Sequence, residues 1–213
     1  MLMKYKAVIF DLDGVICSTD QYHYQAWKEL AEDIGVPFDQ TINNKLRGVS
    51  RKDSLDIILQ GSNVIYNKEE KEELAEKKNL RYRKLLEAMT PDDLDTEVKH
   101  VVAEVKNRGI KIAIGSSSKN AKLILKRLGI ESEFDTISDG NNIESAKPDP
   151  EIFLKAAEWL GIKPKDCLVV EDAKSGVLAA AAAGMDCAAI GDASKYGLAE
   201  YDLESLKDLL DII

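Results

Sequence analysis

The chain has 213 residues, of which 45% are hydrophobic and 31% charged, and its formal net charge is −9. This balance is typical of a globular protein and excludes a disordered chain, a collagen-like repeat and a disulfide scaffold. The acidic sum argues against nucleic-acid and anionic-membrane partners, because both would repel such a surface. The length suits one α/β domain with an insertion, or one large domain, better than two independent domains.

Cysteine usage and the N-terminus indicate the compartment. The three cysteines, Cys17, Cys167 and Cys187, are widely spaced without a CxxC pair, which is typical of buried thiols in a reducing environment. No basic segment precedes a long apolar run at the N-terminus, and later apolar runs fall far short of the roughly 20 residues of a membrane span. We therefore expect a cytoplasmic protein.

Short apolar runs alternate with helical patterns along the chain. The first run ends abruptly at Asp11, and all of the runs suit strands covered on both faces. The predicted strands are residues 5–10, 111–114, 136–138, 167–170 and 186–190. Helical patterns between them end at glycines suited to a left-handed C-cap, namely Gly109, Gly129, Gly161 and Gly184. This alternation predicts an α/β fold with a Rossmann-like, doubly wound parallel sheet.

The stretch from about residue 20 to 90 contains no convincing strand. An apolar stripe from Tyr22 to Ile34 is closed by Gly35, and a Lys/Glu-rich helical segment follows over residues 68–84. We therefore predict an α/β core of residues 1–18 and 91–213, with a helical cap domain of residues 19–90 inserted after the first strand.

Two carboxylates, Asp11 and Asp13, follow the first strand, and Gly14 then opens a turn. In an open parallel sheet, ligands bind beyond the carboxyl ends of the strands. Adjacent carboxylates repel each other unless a cation joins them, and hard oxygen ligands favour Mg²⁺. Taken alone, such a pair is more often a set of solvated loop acids or a helix cap.

Three later segments place further polar groups at the same predicted edge. Ser116 opens a serine run after the second strand, where hydroxyls and backbone N–H groups suit a phosphate. Lys147 precedes a helix, and Glu171 and Asp172 end another buried strand. Each segment alone has a plain structural explanation, such as a helix cap or a solvated side chain. Together they gather acids, hydroxyls and a lysine at one edge of one sheet.

In this order, the four segments resemble the motifs of the haloacid dehalogenase superfamily of phosphotransferases, over nearly the whole chain. The resemblance implies that Asp11 is a nucleophile that forms an aspartyl phosphate and that Asp13 is the general acid and base. It implies that Ser116 and Lys147 hold the transferring phosphoryl group, and that the Lys147–Pro148 bond is cis. The implied ligands of one Mg²⁺ ion are Asp11, the Asp13 backbone carbonyl, Glu171 and Asp172.

The predicted cap adds residues that a plain phosphatase does not need. His23 and Trp27 lie four residues apart on one helix face, although packing for Trp27 and an exposed helix position for His23 are equal alternatives. Ser50, with Asp53 three residues later, is typical of a helix N-terminus close to a capping box. That interpretation leaves Arg51 unexplained.

With Lys78 and the serine run, these cap residues resemble the β-phosphoglucomutase family of the superfamily. This implies interconversion of β-D-glucose 1-phosphate and glucose 6-phosphate through a 1,6-bisphosphate. Arg51, Ser118, Lys119 and Asn120 would hold the distal phosphate. The implied set that binds substrate or phosphate is Trp27, Gly48, Val49, Ser50, Arg51, Ser54, Lys78, Ser116, Ser117, Ser118, Lys119, Asn120 and Lys147.

The same resemblance implies that His23 and Lys78 sense the sugar, and that cap closure excludes water. Thr19 resembles the hinge residue beside Asp13. The implied partners are a phosphosugar and a bisphosphate activator, with the enzyme a monomer. Ser18 departs from the superfamily pattern, which usually has Asp there, and the short segment after Ile190 predicts a curtailed last strand.

Two other functions stay open on the sequence. A sugar-phosphate or phosphoglycolate phosphatase of the same fold would transfer the phosphoryl group to water. A catalytically silent phosphosugar-binding protein would lack a nucleophile, a general acid or a metal-binding acid, and this sequence has candidates for all three.

Overall fold

The computed structural model describes residues 4–46 and 49–213, and its strands form one parallel sheet. The strands are β1 (Ala7–Phe10), β2 (Lys111–Gly115), β3 (Thr136–Ser138), β4 (Cys167–Glu171), β5 (Asp186–Ile190) and β6 (Tyr201–Leu203). Their order, β3-β2-β1-β4-β5-β6, is that of a doubly wound fold. The predicted fold class and the five predicted strands are confirmed, and β6 is an additional short edge strand.

Helices connect the strands and form the insertion. They are α1 (Asp20–Asp33), α2 (Gln40–Asn44), α3 (Arg51–Leu59), α4 (Lys68–Leu86), α5 (Thr96–Asn107), α6 (Ala121–Arg127), α7 (Glu151–Leu160), α8 (Lys174–Ala182) and α9 (Leu209–Ile212). The glycines predicted to end helices, including Gly35 and Gly161, all have positive φ. None of the helices in the described part of the chain has the length and apolar character needed to cross a bilayer.

The chain divides into two compact units, one of residues up to Ser18 with Met89–Ile213, the other of Thr19–Ala88. The predicted end of the helical cap domain, residue 90, lies two residues after the end of the second unit at Ala88. In the first unit β1 is buried along its whole length, as expected for a central strand without a polar face. Helices α7 and α8 cover one face of the sheet, where Phe153 and Val177 join a buried cluster with Ile9 and Val169.

The second unit is helical, as its composition predicts. Trp27 and Leu30 of α1 pack with Leu55 and Ile58 of α3 in a buried apolar cluster. The strongly charged helix α4 begins with a capping box at Asn67, whose side chain accepts from the Glu70 N–H at 3.0 Å. The capping box at Asn67 and the packing of α4 against α1 and α3 stabilise this helix, whose own sequence is mostly polar.

Candidate active site

The carboxyl edge of the sheet in the first unit gathers the predicted acids. Asp11 follows β1 directly, and its backbone N–H donates to the Val170 carbonyl at 2.9 Å. Phe10 pairs with Val170 in the sheet, so Asp11 lies level with Glu171 at the end of β4. Asp11 is 7% exposed and Glu171 is 1% exposed. Two carboxylates buried this deeply need a compensating charge.

Lys147 supplies that charge. Its Nζ donates to Oδ1 of Asp11 and to Oε1 of Glu171, and its side chain is 8% exposed. The ammonium also lies 4.8 Å from the centre of the Phe153 ring on α7, a cation–π distance. The Lys147–Pro148 bond is cis, as the resemblance predicts. The structure therefore brings together the predicted nucleophile, the lysine predicted to hold the phosphoryl group and one of the acids predicted to hold the metal ion.

Burial and mutual repulsion shift the pKa values of these acids. Burial raises the pKa of Asp11 well above its ordinary value, and the charge of Glu171 adds to the shift while Lys147 opposes it. Burial raises the pKa of Asp172 to about 7, with the charge of Glu171 again adding. Burial lowers the pKa of Lys147, but the charges of Asp11 and Glu171 outweigh it and raise that pKa above its ordinary value. Positive charge is therefore strongly favoured at this edge.

Two glycines let these carboxylates lie directly against the backbone. A Cβ on Gly14, where φ is +92°, would lie 2.0 Å from Asp172 Oδ2. A Cβ on Gly176 would lie 1.9 Å from Glu171 Oε1. Both distances are far inside van der Waals contact, so neither position accepts a side chain unless the carboxylate moves.

The oxygen-rich donor set has the chemistry that magnesium prefers. Within residues 4–46 and 49–213, however, no three acidic, histidine or cysteine side chains are grouped so that they could hold a metal ion. The Glu171 carboxylate accepts from Lys147 and, at 2.9 Å, from the Ala173 N–H. Asp11, Asp13, Glu171 and Asp172 all fit a hard cation by donor type, and Asp11 and Glu171 are at present partners of Lys147.

The predicted hydroxyl motif, which begins at Ser116, lies in the turn between the end of β2 at Gly115 and the start of α6 at Ala121. Ser116 is buried, and its Oγ accepts from the Ser118 N–H at 3.2 Å. The Ser118 hydroxyl in turn accepts from the Asn120 N–H at 3.2 Å. The backbone N–H groups of Ser118 and Asn120, in the segment predicted to bind a phosphate, are thus hydrogen-bonded to serine hydroxyls. Ser117 and Lys119 are exposed, and Asn120 is buried.

A buried lysine–histidine pair occupies the second unit. Lys78 is 2% exposed, and its Nζ lies 2.7 Å from Nδ1 of His23. Since an ammonium group only donates, Nδ1 accepts and the imidazole is neutral. Desolvation, with the charges of Lys78 and Arg51, lowers the pKa of His23 well below its ordinary value. Trp27 packs in the apolar cluster of this unit, and its ring lies 4.6 Å from Lys78 Nζ.

Tyr82 contacts both members of this pair, and the sequence alone did not single it out. Its hydroxyl donates to Thr19 Oγ1 at 2.9 Å, and its ring centre lies 4.0 Å from that of His23. Lys78 Nζ lies 4.7 Å from the same ring. The available signal was the spacing of Lys78 and Tyr82, one helical turn apart on the same face of α4.

The predicted N-terminus of α3 is confirmed at Ser50. Its Oγ accepts from the Asp53 N–H at 3.2 Å, while its hydroxyl donates to the Asp53 carboxylate at 2.6 Å. Arg51 faces Glu76 of α4, with 3.7 Å between Nη1 and Oε2. Ser54 is buried and donates to the Val49 carbonyl at 3.5 Å. Gly48, also predicted to bind substrate, lies outside the described residues.

Comparison with known proteins decides the family. The family model for haloacid dehalogenase-like hydrolases matches residues 5–184. The chain belongs to the haloacid dehalogenase-like hydrolase family. The resemblance predicted from the four motifs is therefore confirmed.

Members of this family with similar sequences carry out two kinds of reaction. The β-phosphoglucomutase of Bacillus subtilis (strain 168) is 43% identical over 206 residues, 96% of this chain and 91% of the relative. The crystal structure of β-phosphoglucomutase from Clostridium difficile has a TM-score of 0.88 and 38% identity, covering 98% of this chain and 96% of that one. A phosphorylated carbohydrates phosphatase from Thermotoga maritima is 32% identical, over 85% of this chain and 82% of the relative.

Proposed function

We propose that this protein is an isomerase of the β-phosphoglucomutase type, which interconverts β-D-glucose 1-phosphate and glucose 6-phosphate. The observation that carries the proposal is the 43% identity to a β-phosphoglucomutase across 96% of the chain. The buried contact of Lys147 with Asp11 and Glu171 supports phosphoryl transfer at this edge. We further propose that the enzyme acts as a monomer in the cytoplasm.

The reaction we propose has two displacements at phosphorus. In the direction of glucose 6-phosphate, the Asp11 carboxylate forms a bond to the phosphorus on O1 of glucose 1,6-bisphosphate while the bond to O1 breaks, and Asp13 protonates O1, so that glucose 6-phosphate leaves. Asp13 then removes the proton of the 6-hydroxyl of β-D-glucose 1-phosphate, which attacks the aspartyl phosphate and frees Asp11. This second displacement regenerates glucose 1,6-bisphosphate, which is therefore formed and consumed in every turnover. Lys147 and Ser116 bind the oxygens of the transferring group.

Magnesium is the proposed cofactor. Asp11, the backbone carbonyl of Asp13, Glu171 and Asp172 would hold it through oxygen atoms. When bound, the ion supplies positive charge to the phosphoryl oxygens. Burial and then the charge of Glu171 raise the pKa of Asp172 to about 7, which supports this assignment, because a bound cation would favour the charged carboxylate that both effects disfavour.

The roles proposed for the helical unit concern the sugar and the second phosphate. The buried pair of His23 and Lys78 offers an imidazole and an ammonium for sugar hydroxyls. The Arg51 guanidinium suits a phosphate because its planar donors match two oxygens. Ser118, Lys119 and Asn120 are the proposed core contributors to binding of the second phosphate.

The first prediction concerns the reaction itself. Incubated with β-D-glucose 1-phosphate, Mg²⁺ and a trace of glucose 1,6-bisphosphate, the protein is expected to form glucose 6-phosphate with little release of inorganic phosphate. A coupled dehydrogenase assay measures the first product, and a colorimetric phosphate assay the second. The α-anomer serves as the control substrate. If phosphate is the main product instead, the enzyme is a sugar-phosphate phosphatase and the mutase proposal is wrong.

The second prediction concerns Arg51. Removing this guanidinium with Arg51→Ala is expected to weaken binding of glucose 1,6-bisphosphate by about 10- to 100-fold, the range of a charge-assisted hydrogen bond. Binding of inorganic phosphate should change little, because Lys147 and Ser116 remain. Titration calorimetry measures both ligands, and Arg83→Ala on the exposed face of α4 is the matched control. Equal losses for both ligands would contradict a role at the second phosphate.

A further inference from the structure

The loop between β3 and α7 carries Lys147, and its backbone is hydrogen-bonded to the side chain of Glu151, the first residue of α7. The Glu151 carboxylate accepts through Oε2 from the backbone N–H groups of Glu144, at 2.8 Å, and Ser145, at 2.9 Å. These contacts lower the pKa of Glu151 to about 2, the Lys155 ammonium contributing most, so the group is ionised at neutral pH. An ionised acceptor forms stronger bonds to backbone N–H groups than a neutral one.

Lys155 extends these contacts from the next turn of α7. Its Nζ lies 2.7 Å from Oε1 of Glu151 and also donates to the Asn142 carbonyl. The two side chains therefore hold backbone groups at Asn142, Glu144 and Ser145, all within a few residues of Lys147. We call Glu151, Lys155 and these three backbone groups the α7 clasp.

The same helix also contacts Lys147 itself. Phe153 is fully buried, and its ring faces the Lys147 ammonium. A Cβ at Gly115 would lie 2.7 Å from that ring, so the glycine at this position of β2 allows Phe153 to approach the strand this closely. Helix α7 thus contacts the Lys147 ammonium through Phe153 and holds the backbone that precedes Lys147 through Glu151 and Lys155.

We propose that Glu151, together with Lys155, is a positioning residue for phosphoryl transfer, because the α7 clasp sets where the Lys147 ammonium lies relative to Asp11. The inference rests on the proposed function, since it concerns the same transfer. Misplacing a reacting or charge-bearing group by about 1 Å can lower a rate by about 10²-fold. The loop has no helix or strand between β3 and α7, so its path depends on hydrogen bonds such as those of the α7 clasp together with its own backbone turns.

The test compares Glu151→Gln with Glu158→Gln, an exposed glutamate on the same helix. Gln keeps the shape of the side chain but removes the charge that binds two N–H groups and Lys155. We expect kcat of Glu151→Gln to fall by about 10- to 100-fold with KM changed less than about threefold, since the residues proposed to bind the sugar and the second phosphate stay in place. Glu158→Gln should match the wild type. Hydrogen exchange at Glu144 and Ser145 should accelerate in Glu151→Gln only.

The variant Glu151→Asp distinguishes a misplaced Lys147 ammonium from a general loss of folding as the cause of a lower kcat. It keeps the charge on a shorter side chain, so kcat should recover to a value between those of Glu151→Gln and the wild type. A kcat of Glu151→Gln equal to that of the control would overturn the proposal. So would a fall in kcat without faster exchange at Glu144 and Ser145, or an Asp variant no better than the Gln variant.

Failure of the proposed function is distinguishable from failure of this inference. If the wild type releases phosphate rather than forming glucose 6-phosphate, the mutase proposal fails. The same variants then test the α7 clasp through the rate of phosphate release. A wild type without either activity contradicts both proposals.

Discussion

Asp11→Asn is expected to abolish phosphoryl transfer, lowering kcat by about 10⁴-fold or more, the scale on which loss of a nucleophile acts. An amide has nearly the same shape and can still accept from Lys147, but it lacks the charged oxygen that attacks phosphorus. The substitution therefore removes chemistry with little change in packing. Intact-protein mass after incubation with glucose 1,6-bisphosphate should show a phosphorylated form of the wild type and none of Asp11→Asn.

Two companion variants make this result specific. Asp211→Asn, at an exposed position in α9, should keep both turnover and labelling. Asp13→Asn should lose turnover but still become labelled by acetyl phosphate, whose leaving group needs no proton from the protein. Label that persists on Asp11→Asn would contradict the assignment of the nucleophile, whatever the turnover.

The sheet was predictable where its strands are buried on both faces, because continuous apolar runs mark such strands. The edge strand β6 lacks such a run, since Tyr201–Leu203 has a polar residue, Asp202, at its centre that points to solvent. Helix α2 was missed for a related reason. Its five residues are mostly polar, and it begins where the Asp39 side chain accepts from the Ile42 N–H, at 2.9 Å. Such short elements depend on local capping and tertiary contacts more than on periodicity.

The site was predictable in part for a topological reason. Residues that follow neighbouring parallel strands meet at one edge, so Asp11 and Glu171 were expected to lie together. Lys147 is 136 positions from Asp11 and lies in a loop, and only its place in the motif order indicated that it belongs there. Glu151 binds backbone N–H groups, which every residue except proline carries, so no sequence pattern marks its partners. Tyr82 depends on how α4 is rotated against α1, which helical period alone does not determine.

Lys147→Met is expected to have the largest effect on stability, because it leaves two buried carboxylates without their shared partner. Breaking a buried ion pair from one side typically lowers the free energy of unfolding by about 3–5 kcal/mol. Met fills a similar volume and can pack on the Phe153 ring, so the loss reflects the charge rather than a cavity. Urea denaturation measures it, with Lys165→Met at an exposed position as the control. The rate should also fall by about 10²–10³-fold, as when one donor to the transferring group is removed.

Magnesium makes this variant informative about the cofactor as well. In the wild type Lys147 already offsets the charges of Asp11 and Glu171, whereas in Lys147→Met a bound cation would be the main remaining source of positive charge. Added Mg²⁺ is therefore expected to stabilise Lys147→Met more than the wild type, by mass action on the folded state. A Lys147→Met protein as stable as Lys165→Met without Mg²⁺ would contradict the role of Lys147 as the compensating charge. Equal stabilisation of both proteins by Mg²⁺ would instead place the cation away from these carboxylates.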